Sequence, residues 1–198
     1  MPEKVAIMGG TFNPVHNGHI EMAKYVIEKA YADEVWFMPN GNPPHKNDVD
    51  IIDKTHRANM VKLAIEDYDK FRFCDAEVKR EGYSYLVDTL KDLCESYNYD
   101  FYFMLGADSL AQIEKWYKFE AYAKYCRFLA FGRSKSGDVK EVARYLSDKY
   151  SFEITCVDMP YIDIASTDIR KSIKTGHLTV DFLPDKVYNY ILDNELYV

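Results

Sequence analysis

Short apolar strands alternate with segments of helical period along the chain, and this alternation limits the fold more than any other feature of the sequence. Residues 4–8 (KVAIM) form an apolar, partly β-branched run that stops at Gly9-Gly10. Behind it, Ile20, Ala23, Ile27 and Ala30 recur at spacings of three and four, the signature of a helix with one apolar face. Residues 35–38 read as the next strand, closed by Pro39, and residues 40–50 (NGNPPHKNDVD) as a long loop. Asp53 is placed to cap a helix whose apolar positions are Met60, Val61, Leu63, Ala64 and Ile65. Further strands are predicted at 71–74, 101–105, 127–131 and 154–157. Helices are predicted at 85–97, 139–146, 166–175 and 184–194, with amphipathic turns from Gly106 to Ala123.

Such a succession predicts an α/β fold: a Rossmann-like, doubly wound parallel sheet with helices on both faces and a small C-terminal helical cap. At about 100–200 residues per domain, 198 residues make one domain. In open sheets of this kind ligands bind outside the carboxyl ends of the strands. The loops after Met8, Met38, Leu105, Phe131 and Val157 are therefore where a site is expected.

Charge narrows the partners. The net charge of −7 disfavours a broad electrostatic grip on nucleic acid or anionic membrane, yet allows a small anion where basic groups converge. The first residues run straight into a strand rather than a secretory apolar region, and no stretch approaches the roughly 20 apolar residues of a membrane span. Cys74, Cys94, Cys126 and Cys156 show no CxxC spacing and fit reduced thiols in a cytoplasmic chain. Seventeen tyrosines fit either aromatic packing or an interface between copies, so a homo-oligomer stays open.

The loop after the first strand reads GGTFNPVHNGH, residues 9–19. Its two glycines permit a sharp turn and close approach to a ligand, but it is neither GxGxxG nor a P-loop. Instead, His16 and His19 stand three apart at the opening of a helix, facing one side, with Asn17 as the predicted N-cap. A helix N-terminus carries partial positive charge and free N–H groups, so two imidazole donors there make an anion site. Two alternatives are surface histidines beside a turn, and a zinc site, which lacks both HExxH spacing and a nearby cysteine.

Residues 9–19 resemble the signature of the HxGH nucleotidyltransferase superfamily, which moves a nucleoside monophosphate from a triphosphate to an acceptor phosphate. The late segment Ile164-Ala165-Ser166-Thr167-Asp168-Ile169-Arg170 is similar to its second, SxTxxR-like motif. Ser166 or Thr167 is the predicted helix cap there, with Arg170 one turn in. Within the superfamily the chain resembles the bacterial nicotinate-nucleotide adenylyltransferases, from Lys4 to about Tyr190. Four blocks carry this: Phe37-Met38-Pro39 with Pro43-Pro44-His45-Lys46; Arg57 to Met60 with Leu63-Ala64; Arg80 to Tyr85 with Asp88-Thr89-Leu90; and Gly106-Ala107-Asp108 with Trp116. It departs from the family's usual pattern at Asn13, Leu86, Ala165 and Ser134, where Asp, Thr, Ser and Pro are common.

What the resemblance implies is adenylyl transfer from ATP to nicotinate mononucleotide in NAD biosynthesis. Residues 1–198 would form one nucleotidyltransferase domain, with about 160–198 a helical subregion carrying the second phosphate motif. His16, His19 and Arg170 are the expected catalytic groups. Gly9, Gly10, Thr11, Phe12, Gly18, Gly106, Asp108, Arg133, Ser166 and Thr167 are expected on ATP. Asn40, His45, Lys46, Tyr85, Leu86, Trp116 and Tyr117 are expected on the nicotinate nucleotide. A substrate-bound Mg²⁺ is implied, with no protein side chain assigned as ligand. The alternatives are a sister enzyme such as a phosphopantetheine adenylyltransferase, a cytidylyltransferase, a non-catalytic nucleotide-binding module, and a nucleic-acid-binding module.

Overall fold

The computed structural model describes residues 2–41, 51–132, 139–160, 162–176 and 180–198. Of the expected site residues, His45, Lys46 and Arg133 lie outside these, as does Ser134 and most of the 40–50 loop.

Six strands form one sheet: β1 (Lys4–Gly10), β2 (Glu34–Pro39), β3 (Phe71–Phe73), β4 (Asp100–Gly106), β5 (Arg127–Phe131) and β6 (Ile154–Val157). Their order is β3-β2-β1-β4-β5-β6 and every described pairing is parallel. The chain thus winds outward from β1 in one direction, returns, and winds outward in the other. This leaves a crevice between the carboxyl ends of β1 and β4.

Side chains alternate across a strand, so each central strand must supply apolar residues to both faces. Ala6 and Met8 of β1, Phe37 of β2 and Met104 of β4 face one layer. That layer is built by α1 (Asn17–Glu28), α2 (Lys54–Ile65), α6 (Ser166–Lys174) and α7 (Asp185–Asp193). Val5 and Ile7, Met38, and Phe101, Phe103 and Leu105 face the other. There they meet α3 (Leu86–Ser96), α4 (Ala107–Leu110) and α5 (Val139–Tyr150).

The helices begin for local reasons. Asp53 caps α2, its Oδ1 accepting from the Thr55 N–H at 2.7 Å, as its sequence position predicts. Two predicted caps are corrected. The N-cap of α1 is His16, not Asn17; Asn17 is already helical, and its amide donates to the Asp181 carbonyl at 2.9 Å. The N-cap of α6 is Ala165, because the Ser166 hydroxyl is drawn to the Pro14 carbonyl at 2.9 Å, and Thr167 lies inside the helix.

The C-terminal helix belongs to the sheet-covering layer. Val187 and Ile191 of α7 join the core shared with α1 and α2, and Asn59 of α2 donates to the Tyr190 hydroxyl at 3.0 Å.

Leu90 of α3 is wholly buried against β1 and β4. Truncation of a buried leucine costs about 2–5 kcal/mol through lost transfer energy and the cavity left behind. Leu90→Ala is expected to lower the urea midpoint accordingly. A midpoint equal to wild type would contradict the packing described.

Candidate active site

The crevice at the carboxyl ends of β1 and β4 opens into a cleft of about 720 Å³. Gly9 and Gly10 at the end of β1 and Gly106 at the end of β4 form its floor. A Cβ on Gly9 would stand 2.9 Å from the Phe103 ring and would displace that ring from the core beneath the cleft.

On one wall, His16 and His19 stand together, their ring centroids 3.8 Å apart and their planes inclined by 32°. The glycine between them has a steric reason. A Cβ on Gly18 would lie 3.0 Å from His16 Nδ1, so any larger residue at 18 would push the His16 ring from its place by a few tenths of an ångström. The Phe12 ring meets His19 edge-on at 5.0 Å and supports it from behind.

The charge state of this pair follows from its surroundings. Burial lowers the pKa of His16 to about 4. His19 is held well below the ordinary imidazole value, first by burial and then by the neighbouring His16. Two imidazolium rings this close would repel, so both are neutral near pH 7. The His16 backbone N–H donates to His19 Nδ1 at 3.2 Å. With Nδ1 an acceptor, the hydrogen-bond network assigns the His19 ring proton to Nε2. His19 is therefore a neutral donor, suited to phosphate oxygen. No acidic residue occupies the first turn of α1, so nothing there cancels the positive end of the helix dipole.

The late motif reaches the same place. Ala165 and Ser166, at the N-terminus of α6, line the cleft beside His16 and Gly18. Ser166 is tied to the Pro14 carbonyl as described, and Arg170 Nη1 donates to the Asn13 carbonyl at 2.9 Å. Two helix N-termini from distant parts of the chain thus face one space, and side-chain bonds stitch them together. Asn13 is a junction of its own, since its Oδ1 accepts from the Tyr197 hydroxyl at 2.9 Å and from the Ile52 N–H at 3.4 Å.

The far end of the cleft is aromatic. Trp116 follows a 3₁₀ turn, Ile113–Lys115, and packs edge-on against Phe103 and Tyr122 at 6.2 and 5.8 Å. It is both a core contact and part of the cleft wall. Tyr85 and Tyr117 lie 4.4 Å apart beside it, and Leu86 opens α3, whose N-cap Tyr85 makes no side-chain capping bond. Asn40 enters from the end of β2, its N–H donating to the Gly10 carbonyl at 2.8 Å.

Of the expected residues, the cleft brings together Gly9, Gly10, Thr11, His16, Gly18, His19, Asn40, Tyr85, Leu86, Gly106, Trp116, Tyr117 and Ser166. Four expected residues do not line it. Phe12 is buried behind the loop, Asp108 and Thr167 are exposed, and Arg170 reaches the loop's backbone from outside. Glu77 and Ser84 line the cleft without having been singled out. Burial raises the pKa of the Glu77 carboxyl, and the Ser84 hydroxyl is buried with no hydrogen-bond partner among the described residues. Ser84 lies within the Arg80–Tyr85 stretch that resembles the family, but nothing in its spacing marks it as facing the cleft; Glu77 carries no such signal at all. Among the described residues no three His, Cys, Asp or Glu side chains gather as a metal cage.

Comparison with known proteins agrees with this geometry. The cytidylyltransferase-like family profile matches residues 7–172. The chain is 42% identical over 199 residues to a protein of Clostridium acetobutylicum named "Probable nicotinate-nucleotide adenylyltransferase", covering 99% of this chain and all of that one. It is 38% identical to the nicotinate-nucleotide adenylyltransferase of Bacillus subtilis, with 98% of each chain covered. Among solved structures, the nicotinic acid mononucleotide adenylyltransferase of Plasmodium falciparum complexed with NaAD superposes with a TM-score of 0.79. That match covers 98% of this chain and 97% of the other at 21% identity, and shows a common fold.

The buried histidines make stability depend on pH. His16 has a depressed native pKa, so between its unfolded value near 6.5 and its native value of about 4 the unfolded chain holds more protons. Its contribution is complete above pH 6.5 and is lost as pH falls toward 4. Ring NMR signals of His16 are expected to stay in the neutral form at pH 5.5. A His16→Gln variant is expected to lose less stability than wild type between pH 6.5 and 4.5. A ring titrating near 6.5 would contradict the burial.

Proposed function

We infer the reaction from one premise: this chain belongs to the nicotinate-nucleotide adenylyltransferase family, its residues 7–172 matching the cytidylyltransferase-like domain. It transfers the adenylyl group of ATP to nicotinate mononucleotide, giving deamido-NAD and pyrophosphate. The observation that carries this reading is a single cleft with polar donors at two helix N-termini on one side and an aromatic platform on the other. A polyphosphate suits the first and a pyridine ring the second.

In the proposed mechanism a phosphate oxygen of the acceptor attacks the α-phosphorus in line. The bond to the β-phosphate bridging oxygen breaks, and pyrophosphate leaves with the electron pair. Phosphate is already nucleophilic near neutrality, so the histidines are not asked to remove a proton. Catalysis then comes from positioning and from donors aimed at developing charge. His19, with its proton on Nε2, is assigned to the α-phosphate, and His16 with the α1 N-terminus to the same triphosphate. Arg170 lies off the cleft wall with Nη1 on the Asn13 carbonyl; its other N–H donors are assigned to β- and γ-oxygens that extend beyond the wall, with Lys46 and Arg133 as further phosphate contacts. Gly106, which lines the cleft at the end of β4, is assigned to the ATP ribose; Asp108, exposed on α4 and off the cleft wall, is assigned no contact with ATP.

Trp116 is the proposed stacking surface for the pyridine ring, with Tyr85 and Tyr117 beside it. The Leu86 N–H at the α3 N-terminus and the Tyr117 N–H are assigned to the nicotinate carboxylate. Asn40 and His45 are assigned to the acceptor's ribose and phosphate. A carboxylate gains charge-assisted bonds at such donors that an amide lacks, which favours the acid nucleotide. The donors around the triphosphate are N–H groups, which suit phosphate oxygens and not a cation, so a Mg²⁺ ion is proposed to enter with ATP and no protein ligand is assigned to it. The four cysteines form no disulfide among the described residues, which suits a reducing compartment, and we place the protein in the cytoplasm.

Pyrophosphate release with ATP and nicotinate mononucleotide tests the reading. The phosphopantetheine and sensor alternatives both predict no turnover with this pair. His19→Ala and Arg170→Ala are each expected to lose roughly 10²–10³ in turnover, the usual effect of removing one preorganised donor. Wild-type turnover in either variant would remove that residue's role. In competition, nicotinate mononucleotide is expected to outcompete nicotinamide mononucleotide. Equal efficiency would sink the carboxylate assignment.

A further inference from the structure

Adenylyl transfer needs the triphosphate loop and the acceptor loop in fixed register, and one buried side chain touches both. Arg57 lies in the first turns of α2 and is 2% exposed, yet it does not line the cleft. Its guanidinium donates from Nη1 to the Thr11 carbonyl at 2.7 Å. Nη2 donates to the carbonyls of Asn40 (2.8 Å) and Gly41 (3.1 Å), and Nε to that of Ile52 at 3.3 Å. All four bonds end on backbone carbonyls, so none of them cancels its charge. An apolar side chain in its place would leave all four carbonyls without this donor, so the cost of burying the charge is tied to holding these loops together.

What the arginine holds is seen at Phe12. Its φ of +48° lies in the left-handed region, which a residue with a side chain avoids. Arg57 holds the carbonyl before it, Thr11 O, and Arg170 holds the one after it, Asn13 O. The Thr11–Phe12 peptide is trans, so with its carbonyl turned to Arg57 its N–H, that of Phe12, points the opposite way. Thr11 lines the cleft and Phe12 is buried beside it, so Arg57 fixes the peptide that joins the cleft wall to the residue behind it. Asn40 is fixed at both ends, its N–H on Gly10 and its carbonyl on Arg57.

We propose that Arg57 is a positioning residue for the transfer. Without touching either substrate, it fixes Thr11 on the triphosphate side of the cleft and Asn40 on the acceptor side, and so sets the distance between the reacting phosphates. The inference rests on the adenylyl-transfer reading.

Arg57→Lys keeps the charge and loses the fork. Assayed well below its Tm, it is expected to lose about 10²-fold in kcat/KM, with KM raised for both substrates, because a misplacement near 1 Å carries that effect. ATP affinity measured by calorimetry is expected to fall in parallel. A residue that only stabilised the fold would lower Tm and leave the kinetics of the folded fraction intact, and that result would overturn the proposal. If Arg57→Lys does not fold, Arg57→Ala titrated with dilute guanidinium decides. Return of activity at constant Tm supports the proposal; no return, or a return that tracks Tm, overturns it. Absence of pyrophosphate release by wild type would instead remove the adenylyl-transfer reading. ATP affinity unchanged by Arg57→Lys would then still overturn the positioning role.

Discussion

The site depends on how the peptide groups of residues 11–14 are gripped from behind. A loop that binds polyphosphate through N–H groups must turn its carbonyls away from the ligand, and those carbonyls need donors elsewhere. Here Arg57 takes Thr11 O, Arg170 takes Asn13 O and Ser166 takes Pro14 O. Three donors from two helices, far apart in sequence, thereby hold one short loop in a conformation that includes a left-handed Phe12. The catalytic geometry and the packing of α2 and α6 are the same problem.

The second constraint is electrostatic. Burial keeps His16 and His19 neutral, which at first sight weakens an anion site. Yet neutral rings can stack at 3.8 Å where charged ones could not, and each still carries one N–H. The bond from the His16 N–H to His19 Nδ1 then decides where the His19 proton sits. Positive potential is supplied instead by the α1 N-terminus, left without an acidic residue in its first turn. A preorganised neutral donor needs no reorganisation when charge develops.

At the aromatic end, packing and recognition use the same residues. Trp116 is held edge-on by Phe103 and Tyr122, so its position is set by the core beneath it. The uncapped start of α3 sits beside it because Leu90 and Leu93 bury that helix against the sheet. The departure at Leu86 therefore leaves the backbone donor in place, since the helix start and not the side chain positions it.

The order of strands and helices, the Asp53 cap and the carboxyl-end location of the site were legible from residue pattern, because period and capping are local properties. So was the pairing of His16 with His19, because three residues on a helix return to one face. The caps of α1 and α6 were misread because competing long-range partners, Asp181 and Pro14, claimed the Asn17 and Ser166 side chains. The placement of Asp108, Thr167 and Phe12 off the cleft, and of Glu77 and Ser84 on it, also needed the tertiary structure. Arg57 shows the division best. Its sequence position gives a basic residue in a helix, inside a block that resembles the family but with nothing to say what it touches. Its burial among the carbonyls of 11, 40, 41 and 52 exists only when three segments converge, and such convergence depends on β1 and β2 lying side by side in parallel, which no local spacing encodes.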